Sequence, residues 1–368
     1  MIILEMINHI NFISSSSPSS QTNAIIAPKE HLGVLDMLRG FAAISVVLYH
    51  FTYGMPTLGK SDGGGTLVKF ASLTLKEMFS WGNMGVEVFF VISGFVIPYS
   101  LWNTHYQLRN FSTYMLKRIL RICPPAYLVI ALVLLQWFVI DNLMHPVGTV
   151  SYLSAVTPQR ILGNLFFLYK FADSRWIIGV FWTLAVEFQF YIVIGLLFNY
   201  LFKTKNAVWF VLLFTGMALL NYIPHFPAYT FFHYSPLFAL GGITLLFYKN
   251  HTSLLFFLII SFWFFALGFL MMPLVANIFG LATAMLIAFV RVRHSIFSSF
   301  GRISFSLYLT HVVVGSTSEF LLAKFFPPHT QLQHIFGIFL ITIISCVFAY
   351  IYFYVVERPT LRIIKLIP

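Results

Sequence analysis

Of 368 residues, 59% are apolar, 18% aromatic and only 9% charged, where a soluble domain carries about 25% charged residues. So few charges cannot cover a water-exposed surface. With a mean hydropathy of +0.86, the composition excludes a soluble globular chain and describes a polytopic membrane protein. The 22 Lys and Arg against 11 Asp and Glu give a net charge of +11, which in such a chain fits basic loops facing a cytoplasm rather than nucleic acid. Cys123 and Cys346 both lie in or beside apolar blocks, so no disulfide framework and no metal site is expected.

Residues 1–28 form a tail. The run from Ser14 to Ser20, broken only by Pro18, is low-complexity and predicts a flexible segment. The first dozen residues lack a basic stretch and carry Glu5, so a cleaved signal peptide is not expected. Residues 29–368 read as one membrane domain of the all-α class. A crossing needs about 20 helical residues, and ten apolar blocks meet that length, roughly 33–53, 79–101, 119–140, 177–202, 207–223, 231–248, 254–272, 273–290, 303–322 and 333–356. Met272-Pro273 is all that separates the seventh from the eighth. The apolar stretch 160–172 is too short to cross and predicts an interfacial or re-entrant segment. With the N-terminus inside, 15 of the 22 basic residues fall on the cytoplasmic side, which predicts that both termini are cytoplasmic. No internal repeat or inverted symmetry of broken helices is visible.

Ionisable groups inside apolar blocks are costly and mark candidate functional positions. Arg39 and His50 lie in the first block, eleven residues apart. In an α-helix that separation is about 20° past three full turns, with a rise of about 16.5 Å, so both project from one face. An arginine snorkelling to the headgroups and an interfacial histidine would read the same way. Glu87 sits among aromatic residues and needs a partner, while Ser93 and Gly94 suit close helix packing. Lys117, Arg118 and Arg121 open the third block. They suit either phosphate binding or plain anchoring at the inner face. Pro124-Pro125 should break or kink the start of that helix. Glu187 lies in the fourth block, Tyr308 and His311 in the ninth, and Glu357-Arg358 at the end of the tenth. Asp141 and Glu319 fall at outer ends and read as solvated.

Taken together, these motifs resemble the acyltransferase 3 family. Leu35-Asp36-x-Leu38-Arg39-Gly40 with His50 is similar to its opening signature, and the Glu87 segment to its second motif. Arg118-x-x-Arg121-Ile122-x-Pro124 resembles its basic motif; Trp182 to Tyr191, Tyr308-x-x-His311 and Glu357-Arg358-Pro359 follow in the family's order. The resemblance implies a membrane-embedded O-acyltransferase of the cell (inner or plasma) membrane. Such an enzyme takes an acyl group, usually acetyl, from cytoplasmic acyl-CoA and delivers it to a hydroxyl of a carbohydrate or lipid-linked glycan. It also implies essential status for Arg39 and His50, and acyl-CoA contact for Arg118 and Arg121. Two departures stand out. Phe188 occupies a place where a second glutamate is common, and no hydrolase-like domain is expected after Pro359.

Joined to the topology, this gives a mechanism. Arg39, Arg118 and Arg121 hold the CoA phosphates, and the thioester reaches His50, which serves as general base. Glu87 or Glu187 orients the imidazole. Tyr308 or Ser93 donates to the oxyanion. A covalent acyl-histidine relay is an alternative route. A proton-coupled transporter using His50, Glu87, Glu187 and His311, or a non-catalytic scaffold, are the rival readings.

Overall fold

The computed structural model describes residues 28–54, 73–104, 106–144, 151–168, 176–204, 207–223, 230–292 and 296–367. Of the expected tail at 1–28, residues 1–27 lie outside them, as do the orientation-bearing Lys60, Lys69, Lys170, Arg175, Lys205 and Arg293. The described residues are helical and contain no strand. The helices run as α1 Pro28–Tyr49, α2 Leu73–Phe79, α3 Gly85–Asn103, α4 Phe111–Val139, α5 Pro158–Leu165, α6 Trp182–Phe198 and α7 Val208–Leu220. They continue as α8 Phe231–Tyr248, α9 Leu254–Phe269, α10 Leu274–Phe289, α11 Ile296–Phe325, α12 Gln331–Tyr352 and α13 Arg358–Ile364.

Every one of the ten apolar blocks holds a helix. Six helical runs among the described residues are long and apolar enough to cross a bilayer: Gly33–Tyr53, Lys76–Asn103, Leu108–Asn142, Gly179–Lys203, Phe231–Tyr248 and Gln331–Ile364. Helices α7, α9 and α10 are apolar but shorter; 16 residues span about 24 Å at 1.5 Å each, less than a hydrocarbon core. Proline separates α9 from α10, since Pro273 stands immediately before Leu274. Helix α11 is long but interrupted by Arg302, His311, Glu319 and Lys324.

The outer surface is apolar. On α12, Leu332, Phe336, Phe339, Ile343 and Val347 are exposed, while Ile338, Ile341, Ser345 and Ala349 on the opposite face are buried. That arrangement suits hydrocarbon outside and small or polar residues between helices. Helix α8 is central and packs against α3, α7, α9 and α10, while α1 packs against α3 and α11. Two crossings depend on glycine. A Cβ on Gly94 would collide with the Phe238 carbonyl, which places the sequence-predicted packing face of α3 on α8. A Cβ on Gly301 would collide with the Asp36 carbonyl, and one on Gly40 with that of Phe297, so α1 and α11 touch backbone to backbone.

Two sequence expectations change. Helix α4 starts at Phe111 and runs unbroken through Pro124 and Pro125 to Val139. The prolines remove two backbone donors, but the packing holds the helix together: Tyr352 on α12 donates to the Pro125 carbonyl at 2.5 Å. Glu319 is buried at 3% exposure rather than solvated. Asp141 accepts from Ser151 Oγ and from the Tyr152 and Leu153 amides, at 2.7 to 3.1 Å, and so ties the 151–155 segment to the end of α4. The predicted short segment at 160–172 holds α5, capped by Thr157 and fastened by Tyr127 donating to the Leu165 carbonyl at 2.8 Å.

Candidate active site

Five helices converge on a cavity enclosing about 820 Å³ of empty space, counting its open mouth. Helix α1 contributes Arg39; α3 contributes Phe89, Phe90 and Ser93; α4 contributes Arg118 and Arg121. Helix α6 adds Thr183, Glu187 and Tyr191, and α11 adds Ser304 and Tyr308. Six of the sequence-predicted residues, Arg39, Ser93, Arg118, Arg121, Glu187 and Tyr308, therefore share one chamber although they span 270 positions of chain.

The three arginines are held differently. Arg118 Nη2 donates to Ser100 Oγ at 2.8 Å, and its guanidinium lies 5.3 Å from the ring centroids of both Tyr114 and Tyr191. Tyr114 is one helical turn before it, so the Tyr114–Arg118 contact follows from i, i+4 spacing. Arg39 and Arg121 make no hydrogen bond to protein among the described residues. Arg39 instead lies in the electrostatic field of Asp36, Glu187 and Glu357, and is repelled by Arg121. Glu187 Oε1 accepts from Tyr191 Oη at 2.6 Å and from Ser93 Oγ at 3.3 Å. Three guanidiniums face one carboxylate in a chamber otherwise walled by apolar and hydroxyl groups. Such walls favour a multivalent anion, because guanidinium forks match phosphate oxygens and low dielectric magnifies the attraction.

Tyr308 closes one wall. Its hydroxyl is 2.8 Å from Thr183 Oγ1 and donates to the Val180 carbonyl at 3.1 Å, and its ring stands edge-on to Phe89. Both Glu87 and Glu187 fall within its electrostatic reach. Glu87 itself does not line the chamber, and its Oε2 is buried with no hydrogen-bond partner. Glu357, also outside the chamber, accepts from Ser306 Oγ at 2.6 Å.

His50 and His311 stand behind Tyr308 rather than in the chamber wall. The α-register of the first helix ends at Tyr49, and His50 opens a wider π-helical turn through Gly54. The 100° step thus holds for ten of the eleven positions from Arg39 to His50, and the wider turn begins at the histidine. Neither Glu87 nor Glu187 is hydrogen-bonded to His50; the side chain within hydrogen-bond distance of its ring is that of His311, with Nε2 3.3 Å from His50 Nδ1. At the mouth of the bundle, Lys249 sits over Tyr99 at 4.8 Å and reaches Asn103, and burial pulls its ammonium below the ordinary lysine range. Among the described residues no group of three or more His, Cys, Asp or Glu is placed to hold a metal ion.

Sequence reasoning missed the partners more than the principals. Ser100, Ser306 and Thr183 carry no signal of their own, because their contacts lie 18, 51 and 125 positions away in sequence. Phe188 is explained by packing: it stacks on Phe167 at 4.9 Å, and Phe167 holds a left-handed backbone conformation with φ 57° at the end of α5. A side chain that faces a ring this closely has no use for charge.

A family model described as an acyltransferase domain matches residues 32–354. YrhL of Bacillus subtilis (strain 168), whose name assigns it provisionally to peptidoglycan O-acetyltransfer, is 29% identical over 43% of this chain and 22% of its own length. The O-acetyltransferase OatA of Staphylococcus aureus (strain NCTC 8325 / PS 47) is 25% identical over 48% of this chain and 27% of its own. Nodulation protein 10 of Rhizobium leguminosarum bv. viciae is 29% identical over 48% of this chain and 47% of its own. In each case the matched stretch is less than half of the relative. No solved structure matches the chain. The match over nearly all of the helical domain establishes that this chain belongs to the acyltransferase 3 family.

Proposed function

We propose that the protein is a multi-pass O-acyltransferase of the cell membrane, moving an acyl group, acetyl in the simplest case, from cytoplasmic acyl-CoA to a hydroxyl of a carbohydrate or glycoconjugate. The observation that carries this reading is the chamber with Arg39, Arg118 and Arg121 against the single carboxylate of Glu187. A coenzyme A diphosphate and 3′-phosphate would satisfy guanidiniums that the protein leaves without hydrogen bonds. The thin pantetheine arm suits the apolar remainder of the chamber, where Phe89, Phe90 and Ile92 supply wall. The acceptor class rests on the peptidoglycan in the name of YrhL, and transfer of an acetyl group to oxygen on the names of YrhL and OatA. Ten crossings with both termini cytoplasmic would put the arginine-bearing start of α4 on the donor side.

His50 acts in this scheme as the general base, the role in which an imidazole most often serves in proton transfer. The arginines supply donor binding, and Ser93 and Tyr308, which line the chamber, are the candidate oxyanion donors. The test is transfer by the purified, lipid-reconstituted protein from labelled acetyl-CoA, read with mass spectrometry of envelope glycans from cells with and without the gene. Acetyl-sized mass differences that vanish with His50→Ala support the reading. Identical glycans together with no CoA-dependent turnover would sink it.

A further inference from the structure

Two histidines 261 positions apart in the chain meet where α1 and α11 pack. His311 is fully buried on α11, and His50 is half-buried. The ring centroids are 5.0 Å apart, and His311 Nε2 lies 3.3 Å from His50 Nδ1. Each Nδ1 also meets backbone. His311 Nδ1 is 2.8 Å from the Tyr308 carbonyl oxygen and 3.3 Å from that of Leu307. His50 Nδ1 is 2.9 Å from the Val46 carbonyl oxygen.

These contacts fix where the protons sit. A carbonyl oxygen only accepts, so a nitrogen within hydrogen-bond distance of it must carry hydrogen. His311 is therefore protonated on Nδ1, and as a neutral ring it presents a bare Nε2 to His50. His50 Nδ1–H is shared between the Val46 carbonyl and that bare nitrogen, a three-centre bond. Its proton being on Nδ1, neutral His50 has its lone pair on Nε2, the nitrogen pointing away from the pair. Every contact in the chain agrees with this assignment, and the reverse tautomer of either ring would set lone pair against lone pair or against a carbonyl.

We propose that His311 is the positioning residue of acyl transfer, holding His50 in the tautomer whose Nε2 is the base. This rests on the acyltransferase reading above. The acceptor hydroxyl gives its proton to His50 Nε2 as its oxygen bonds to the thioester carbonyl carbon. The carbon–sulfur bond then breaks, and the proton passes from Nε2 to the departing CoA thiolate, leaving an ester and free CoASH. While His50 is charged, its Nδ1–H bond to His311 becomes charge-assisted and strengthens. A neutral partner fits this place because a resting pair without charge needs no counter-ion in a dry interior. The carboxylates Glu87 and Glu187 are then released from the orienting role.

Three substitutions separate this role from mere packing. His311→Gln can put an amide oxygen where Nε2 stands, so it keeps an acceptor for His50. His311→Asn keeps only the reach to its own helix carbonyls, and His311→Met keeps volume without an acceptor. Asn and Met should lower kcat roughly 100-fold, with KM for acetyl-CoA unchanged because the arginines lie elsewhere; Gln should recover to within about tenfold of native. In the lipid-reconstituted full chain, 15N spectra of histidine-labelled protein should show His50 with an unprotonated Nε2, assigned by its absence in His50→Gln, and a mixture of tautomers in His311→Met. Native kcat in the Asn and Met variants, or a protonated Nε2 on neutral His50, overturns the proposal. The spectrum decides it even for a protein that shows no acyl transfer, an outcome that would instead remove the functional reading.

Discussion

Arg118 and Arg121 lie three residues apart on one helix and differ in what the protein gives them. Arg118 is held by Ser100 and two tyrosine rings, whereas Arg121 has no hydrogen bond to protein among the described residues. Their substitutions should part accordingly. Arg121→Gln should weaken CoA binding at least about tenfold, since a hydrogen bond to a charged group is worth about 1.5–3 kcal/mol, while thermal stability barely moves. Arg118→Gln should lose both affinity and stability. Calorimetric CoA titration with a melting curve on each variant checks this; equal CoA affinity in native and Arg121→Gln protein would return Arg121 to a plain membrane anchor. At this scale the sequence was legible wherever chemistry and spacing coincide. Charged side chains in apolar blocks named the chamber's arginines, Glu187 and both histidines. It was not legible where pairing is tertiary: nothing in the ninth block announces that His311 meets His50, or that Ser306 meets Glu357. Phe188 was visible as a departure, but its stack on Phe167 depends on a loop conformation that residue type does not encode.

Helices were readable from apolar blocks because hydrocarbon surroundings leave the backbone no other partner than itself. Their ends were less so. The prolines at 124 and 125 carry a local breaking tendency, yet α4 passes through them because packing on α12 and α11 holds both halves in line. The π-helical turn at His50 likewise escapes a constant angular step, although such turns recur at functional sites. The α1–α11 crossing is the element that matters most, since it carries Arg39 and His50 on one side and Tyr308 and His311 on the other. Gly301→Leu should push these helices apart, because its side chain would meet the Asp36 backbone. Overpacking of this kind costs about 1–3 kcal/mol, and thermal unfolding in detergent should show a clear fall. Gly216 on α7 has open space around it. Gly216→Ala should leave the melting temperature unchanged or raise it, as alanine favours helix by about 1 kcal/mol. A Gly301 variant as stable as native would mean that the close approach is not required.

For the molecule as a whole, composition decided the membrane class at once, but the number of crossings depends on helices α7, α9 and α10, which are short, and on α11, which is polar. The basic-residue asymmetry makes a definite forecast. In a background free of Cys123 and Cys346, a cysteine at His329 should react with an impermeant thiol reagent from outside, and one at Asn250 only after the membrane is opened. Both positions are exposed. Reversed labelling would invert the protein and put the arginine chamber on the wrong side for a cytoplasmic donor. The unbalanced charge of that chamber has a further effect. Guanidiniums crowded in one chamber repel one another, so the folded protein is a better host for a polyanion than its unfolded chain can be. Occupancy and folding are then linked by mass action: CoA at a hundredfold excess over its Kd should add about 2.7 kcal/mol to stability. A melting scan with CoA, dephospho-CoA and pantetheine should rise in proportion to phosphate count, and Arg121→Gln should flatten that series, turning the donor into a measurable folding ligand even before any acceptor is known.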